Sequence, residues 1–248
     1  MSRPQGEHSV RFEWGSTGGL AVAQEADVAV VVDVLSFTTA LSVAADRGIV
    51  VVPYPHGADD AEVAAAQAGA VLAAPRGTPG ALTLSPASIR SGAAVPRLLL
   101  PSPNGSAVCR ALAPVATTVV GACLRNARAV ADWIAREHDE DSSRIAVVAA
   151  GERWPDGSLR PALEDLWGAG AVLAALEDHD WPGLSPEAAQ AADAYRLVVG
   201  RERGHLLACT SGEELVAGGD DEDVLIAAEV DSSPVVPLLS DRGFVAAP

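Results

Sequence analysis

The sequence predicts an α/β fold, a three-layer sandwich with a largely parallel or mixed central sheet and a helix-rich carboxyl-terminal part. Three observations carry this expectation. Short, almost continuously apolar runs of strand length recur up to residue 149, helical patterns separate them, and helical spacing dominates from residue 163 onward. Hydrophobic residues make up 49% of the 248, ample for a sizeable core. No linker marks a boundary, so a single domain over 1–248 is expected.

Val10–Trp14 and Val28–Val32 open the strand series. The second run is too short for an independent helix and too uniformly apolar for a one-sided strand, so it reads as a central strand buried on both faces. A helix over Thr39–Asp46 is closed by Gly48; a strand at Ile49–Val52, a helix at Ala61–Ala68 stopped by Gly69, and a strand at Ala70–Ala73 follow. The Ser/Pro/Gly-rich stretch 75–92 reads as a long surface loop. The alternation resumes with Arg97–Leu100, Ser106–Leu112, Thr117–Val120, Ala127–Arg136 capped by Asn126, and Ile145–Ala149. Leu163, Leu166, Trp167, Gly170 and Ala171 then share one face of a helix running to Leu176. Ser185-Pro186 opens a helix to Val199, Ser211 with Glu214 forms a capping box, and Gly218-Gly219 ends the helix that box begins. Asp220 caps a short helix through Val224–Ala228, and Val235–Leu238 with Phe244–Ala246 make a final hairpin or edge strands.

Composition excludes several functions. A net charge of −16 opposes a phosphate-backbone surface, so no nucleic-acid partner is expected. All 17 basic residues are arginine, which rules out lysine Schiff-base chemistry and a Walker A lysine. No apolar stretch reaches the ~20 residues of a membrane span, and the amino terminus lacks the apolar core of a signal peptide. No membrane partner is expected, and the cytoplasm is the default compartment. Cys109, Cys123 and Cys209 are too widely spaced for a zinc site and read as small buried hydrophobes.

The candidate chemistry lies at strand ends. Asp33 follows a buried strand at the edge where open α/β sheets bind ligands, and Ser36, Thr38 and Thr39 crowd the turn behind it. The alternative is that Asp33 merely caps the next helix. Asn104 and Gly105 begin a helix after a strand, an arrangement that can present free N–H groups to an anion. Gly151-Glu152-Arg153 again leaves a strand into charge. Glu164-Asp165 opens the next helix between apolar neighbours, where the helix dipole is one explanation and a hard cation such as Mg2+ another. Gly168-Ala169-Gly170 lies inside a helical pattern and lacks a third glycine, so it is not a dinucleotide loop.

Taken together, DVLSFTTAL at 33–41, PRG at 75–77, LSP at 84–86, PNGS at 103–106, GACLRNARAVADWI at 121–134, ALEDLWGAGAV at 162–172 and DVLIAAEVDSSPVVPLL at 223–239 resemble the 2-phosphosulfolactate phosphatase family. The resemblance spans nearly the whole chain. It implies a Mg2+-dependent phosphatase acting on a small anionic phosphorylated substrate, with Asp33, Glu164 and Asp165 as catalytic and metal-binding carboxylates. Asp33 remains open between metal ligand, base and nucleophile. Ser36, Thr38, Thr39, Asn104, Gly105 and Ser106 would line the substrate, with Arg76, Arg125 and Arg153 as clamps. A homodimer is compatible with this reading. Two positions depart from the family pattern: Ser36-Phe37 stands where Arg-Ala is expected, and Ala107 where arginine is. Neither can replace a bidentate guanidinium. A catalytically silent descendant that binds an anionic metabolite or a partner is the alternative.

Overall fold

The structure, a computed structural model, describes residues 4–247; residues 1–3 and 248, the extreme ends of the domain expected over 1–248, lie outside it. In chain order the elements are β1 (Val10–Trp14), α1 (Gly15–Val22), β2 (Val28–Val32), α2 (Phe37–Asp46), β3 (Val50–Pro55), α3 (Ala61–Ala68), β4 (Val71–Leu72), α4 (Pro86–Ser91), β5 (Arg97–Ser102) and α5 (Gly105–Leu112). Next come β6 (Thr118–Ala122), α6 (Ala127–Glu137), β7 (Ile145–Ala149), and the small hairpin of β8 (Glu152–Arg153) and β9 (Leu159–Arg160). The chain finishes with α7 (Leu163–Glu177), α8 (Pro186–Arg196), α9 (Glu202–Ala208), α10 (Thr210–Gly218), α11 (Asp221–Ala227), β10 (Pro237–Ser240) and β11 (Gly243–Ala246).

Nine strands form one mixed sheet in the order β1-β7-β2-β6-β10-β11-β3-β5-β4. Two parallel blocks, β1-β7-β2-β6 and β3-β5-β4, are joined by the antiparallel β10–β11 hairpin. All five residues of β2 are buried, as the apolar run requires. Its pleat sends Val28, Val30 and Val32 into one core with Trp133, Ile134, Leu173 and Leu176, while Ala29 and Val31 meet Val22, Leu41 and Leu112 in the other. Helices therefore cover both faces, giving the three layers expected.

Several local expectations give way. The terminal hairpin is not at an edge: Leu238 pairs with Val120 and Phe244 with Val51, which puts it mid-sheet. The 75–92 stretch contains α4, whose Ile89 is fully buried and whose amino terminus is capped by Ser85 accepting from Ser88 N. Asn126 does not cap α6; its Oδ1 accepts from Cys123 N, and its amide donates to Gly121 O and Val235 O. Because α10 already starts at Thr210, Ser211 lies in its first turn and forms no capping box with Glu214. Asp220 makes no side-chain cap of α11 either. Ser185 does cap α8, accepting from Ala188 N, but that helix ends at Arg196 rather than Val199. All three cysteines are buried and free. Among the described residues, no helix is long and apolar enough to cross a membrane.

Candidate active site

Asp33 leaves the carboxyl end of β2 and accepts two backbone N–H bonds, Oδ2 from Gly105 at 2.6 Å and Oδ1 from Phe37 at 3.1 Å. One carboxylate thus binds the first residues of α2 and α5, where helix N–H groups lack internal partners. The β5–α5 junction reaches it because α5 folds back over the sheet to pack on β2, β3 and α1. The cap reading of Asp33 is therefore part of the truth, since the same carboxylate caps and faces the other acids. Thr38 Oγ1 accepts from Asp33 N at 2.9 Å and donates to Asp33 O at 2.8 Å, and Thr39 Oγ1 donates to Val34 O at 2.7 Å. These hydroxyls fix the turn.

Asp165 performs the corresponding task between neighbouring parallel strands. Its Oδ1 accepts from Val34 N at 2.7 Å, just beyond β2, and its Oδ2 from Gly151 N at 2.8 Å, just beyond β7. Helix α7 can come this close because position 168 is glycine: a Cβ there would lie 2.6 Å from Val34 Cγ2 and 2.8 Å from Val32 Cγ1. Gly170 allows the same approach to α8, where a Cβ would meet Ala191 O at 2.1 Å. The glycines of α7 serve packing, and that packing brings the first turn of the helix, Glu164 and Asp165, to the end of β2.

Glu152, at the start of β8, completes the group. Asn104 Nδ2 donates to its Oε2 at 2.8 Å, so Asn104 orients a carboxylate and makes no side-chain cap of α5. Burial, then the charge of Asp33, pushes Glu152 up to about 7. Burial raises Asp33 to about 6 against the two N–H bonds that lower it, with Glu164 raising it further. Asp165 lies well above the ordinary carboxylate range, through burial first and then through Asp33 and Glu164. The three predicted acids therefore do converge. The Ser102 hydroxyl faces Asp33 and lowers its pKa, yet no hydrogen bond of ordinary geometry forms, leaving this buried hydroxyl without a partner. Glu164, 2% exposed, faces Cys209, whose thiol is pushed up to about 12 by burial and then by Glu164.

Among the described residues, none of these four carboxylates has an ion-pair partner within 4 Å. Buried acids without a counter-ion must either take protons or meet a cation. An all-oxygen donor set of this kind suits Mg2+, which binds through one or two carboxylates, waters and substrate phosphate. Among the described residues, no group of three or more His, Cys, Asp or Glu side chains is placed to hold a metal ion by itself.

Residues 19–242 match the family model for 2-phosphosulpholactate phosphatase. The chain belongs to the 2-phosphosulfolactate phosphatase family. A probable 2-phosphosulfolactate phosphatase from Deinococcus radiodurans is 30% identical over 230 residues, covering 86% of this chain and 88% of that protein. Family and relative both indicate a phosphatase that hydrolyses a phosphate monoester.

Within this phosphatase-family fold the other predicted substrate residues divide. The Gly105 N–H is taken by Asp33, and Ser106 Oγ donates to Ser102 O at 2.6 Å and Tyr54 O at 2.7 Å. Ser36 Oγ accepts from Arg76 Nη2 at 2.9 Å, while Arg76 also pairs with Asp220 and the buried Asp223. Arg125 is directed elsewhere, to Ser42, Asp46 and Glu229. Arg153 is exposed and lines both clefts beside the carboxylates. The sequence marks Gly151-Glu152-Arg153 as a candidate junction but gives Glu152 no role, and it does not foresee the β8–β9 hairpin. The signal was present in Trp154-Pro155-Asp156-Gly157-Ser158, a turn sequence with Pro, Asp and Gly in their usual order. Gly157 takes φ +83° and donates to Trp154 O at 2.8 Å, and the turn sets Glu152 opposite Arg160.

Proposed function

We propose that this chain is a Mg2+-dependent phosphatase of small phosphorylated acids, with 2-phosphosulfolactate as the substrate type. The observation that supports this most is the set of three buried carboxylates, Asp33, Glu164 and Asp165, with the half-buried Glu152 beside them, none in an ion pair within 4 Å among the described residues, in a chain of this family. Asp33 and Glu164 would hold the ion, and Asp165 fixes the two strand ends against which they sit. Bound Mg2+ would neutralise phosphate charge and so offset the repulsion of an acidic protein for an anionic ester.

The remaining work falls to the side chains. Glu152 changes protonation near neutral pH and is oriented by Asn104, which suits it to pass a proton to the ester oxygen as the P–O bond breaks. The attacking water leaves with the phosphate and returns one proton to Glu152, so the products are the alcohol and hydrogen phosphate. Phosphate release from 2-phosphosulfolactate and a panel of carboxylated and neutral monoesters, with and without Mg2+, tests the proposal. Mg2+-dependent release from the acidic esters is expected. Binding of sulfolactate with no turnover of any ester would replace it with the silent-binder reading.

A further inference from the structure

Beside the carboxylates lies a cleft of about 630 Å³, with Glu164 and Cys209 on one wall and Glu152, Arg153 and Arg160 of the hairpin on another. The arginines around the site differ in how fully they are satisfied. Arg76 is held by Asp220 and Asp223, and Arg125 by Asp46 and Glu229, so each faces two carboxylates. Arg160 faces one. Its Nη2 donates to Glu214 Oε2 at 3.0 Å, and that glutamate is 61% exposed, so the pair contributes little and is easily exchanged. The Arg160 side chain is only 13% exposed, and its guanidinium carbon lies 5.8 Å from the centroid of the Trp154 ring, which braces its plane. Its other N–H groups make no hydrogen bond among the described residues. Arg160 also stands directly across the ladder from Glu152, and its charge lowers the pKa of that residue.

We infer that Arg160 selects substrates carrying a second acid group, a sulfonate or carboxylate, by binding that group with its free edge while the phosphate lies against the carboxylate site. The inference rests on the phosphatase reading above. A planar fork with free donors matches a carboxylate or sulfonate in two-point contact, whereas a neutral alcohol gives it nothing to bind. The Trp154 ring braces the plane of the fork before the substrate arrives, which limits the ordering cost of binding, while the exposed Glu214 competes with the incoming acid group for the same guanidinium.

The test compares kcat/KM for 2-phosphosulfolactate with that for glycerol 1-phosphate, whose alcohol carries no acid group. Arg160→Ala should lower the ratio of the two by about tenfold to a hundredfold, the range of a charge-assisted contact, chiefly through KM for the acid. Arg160→Lys should not restore it. Glu214→Gln, which leaves the arginine and its aromatic brace intact, should lower KM for the acid ester and so guards against a hairpin that merely unfolds. An unchanged ratio in Arg160→Ala, or an unchanged KM in Glu214→Gln, overturns the inference. If the parent protein hydrolyses no monoester, the phosphatase reading fails separately. Thermal-shift binding of sulfolactate to the parent and to Arg160→Ala then decides on Arg160: equal shifts overturn it, and a shift lost in the variant supports it.

Discussion

Asp33 is held by groups far apart in the chain, so its position is sensitive to the one atom that glycine lacks at 105. A Cβ there would come within 2.5 Å of Phe37 Cδ1 and 2.6 Å of Asp33 Oδ2. Gly105→Ala must therefore displace the carboxylate, the ring or the start of α5, and overpacking of this kind costs roughly 1–3 kcal/mol. A lower Tm together with a fall in kcat is expected; a variant matching the parent in both would show that Asp33 needs no fixed position. At this scale the sequence pointed to Asp33 because it ends an apolar strand run, and to Glu164 and Asp165 because they open a helix between apolar neighbours. It placed Glu152 at a candidate junction but gave it no role, because its orienting partner Asn104 is 48 residues away. Arg125 misled for the same reason: nothing in its neighbourhood announces Asp46 or Glu229.

The β10–β11 hairpin is the element on which the sheet depends most. It supplies the strands that join two parallel blocks, with Phe244 1% exposed and in edge-to-face contact with Phe37. Removing residues 234–248 would leave β6 and β3 with unpaired edges in the middle of the molecule. The truncated protein should be insoluble or lack a cooperative thermal transition; a soluble, cooperatively melting product would contradict the central placement. Sequence pattern located this hairpin but not its place in the sheet, since strand order is set by long-range pairing. Helix α1 escaped notice because Gly15, Gly18 and Gly19 argue against a helix on propensity alone. Close approach requires one of them: a Cβ on Gly19 would lie 2.9 Å from Val148 Cγ1.

For the whole molecule, the carboxylates of this cluster link stability to pH. Asp33 at about 6, Glu152 at about 7 and Asp165 well above its usual range all hold protons in the folded protein that the unfolded chain releases near pH 4. The folded state thus binds more protons between pH 4 and 7, and stability falls as pH rises through 6 and 7. The net charge of −16 acts in the same direction. Metal-free protein should melt several degrees higher at pH 5.5 than at pH 8, given that ~1 kcal/mol moves Tm by roughly 2–4 °C at this size. Added Mg2+ should recover part of the loss at pH 8, and a Tm that rises steadily over this interval would contradict the cluster. The α/β class and its three layers were legible because hydrophobic periodicity is local. The convergence of four acids was only partly so, because it depends on α5 and the hairpin folding back on the sheet.

Phosphate release from 2-phosphosulfolactate by the parent protein and by Asp33→Asn, each with Mg2+ and after chelation, tests most directly whether these carboxylates form a Mg2+-dependent phosphatase site. Mg2+-dependent release by the parent is expected, with a loss of at least about a hundredfold in a folded Asp33→Asn protein. Release that survives the substitution, or that is indifferent to chelation, would contradict a site of this kind.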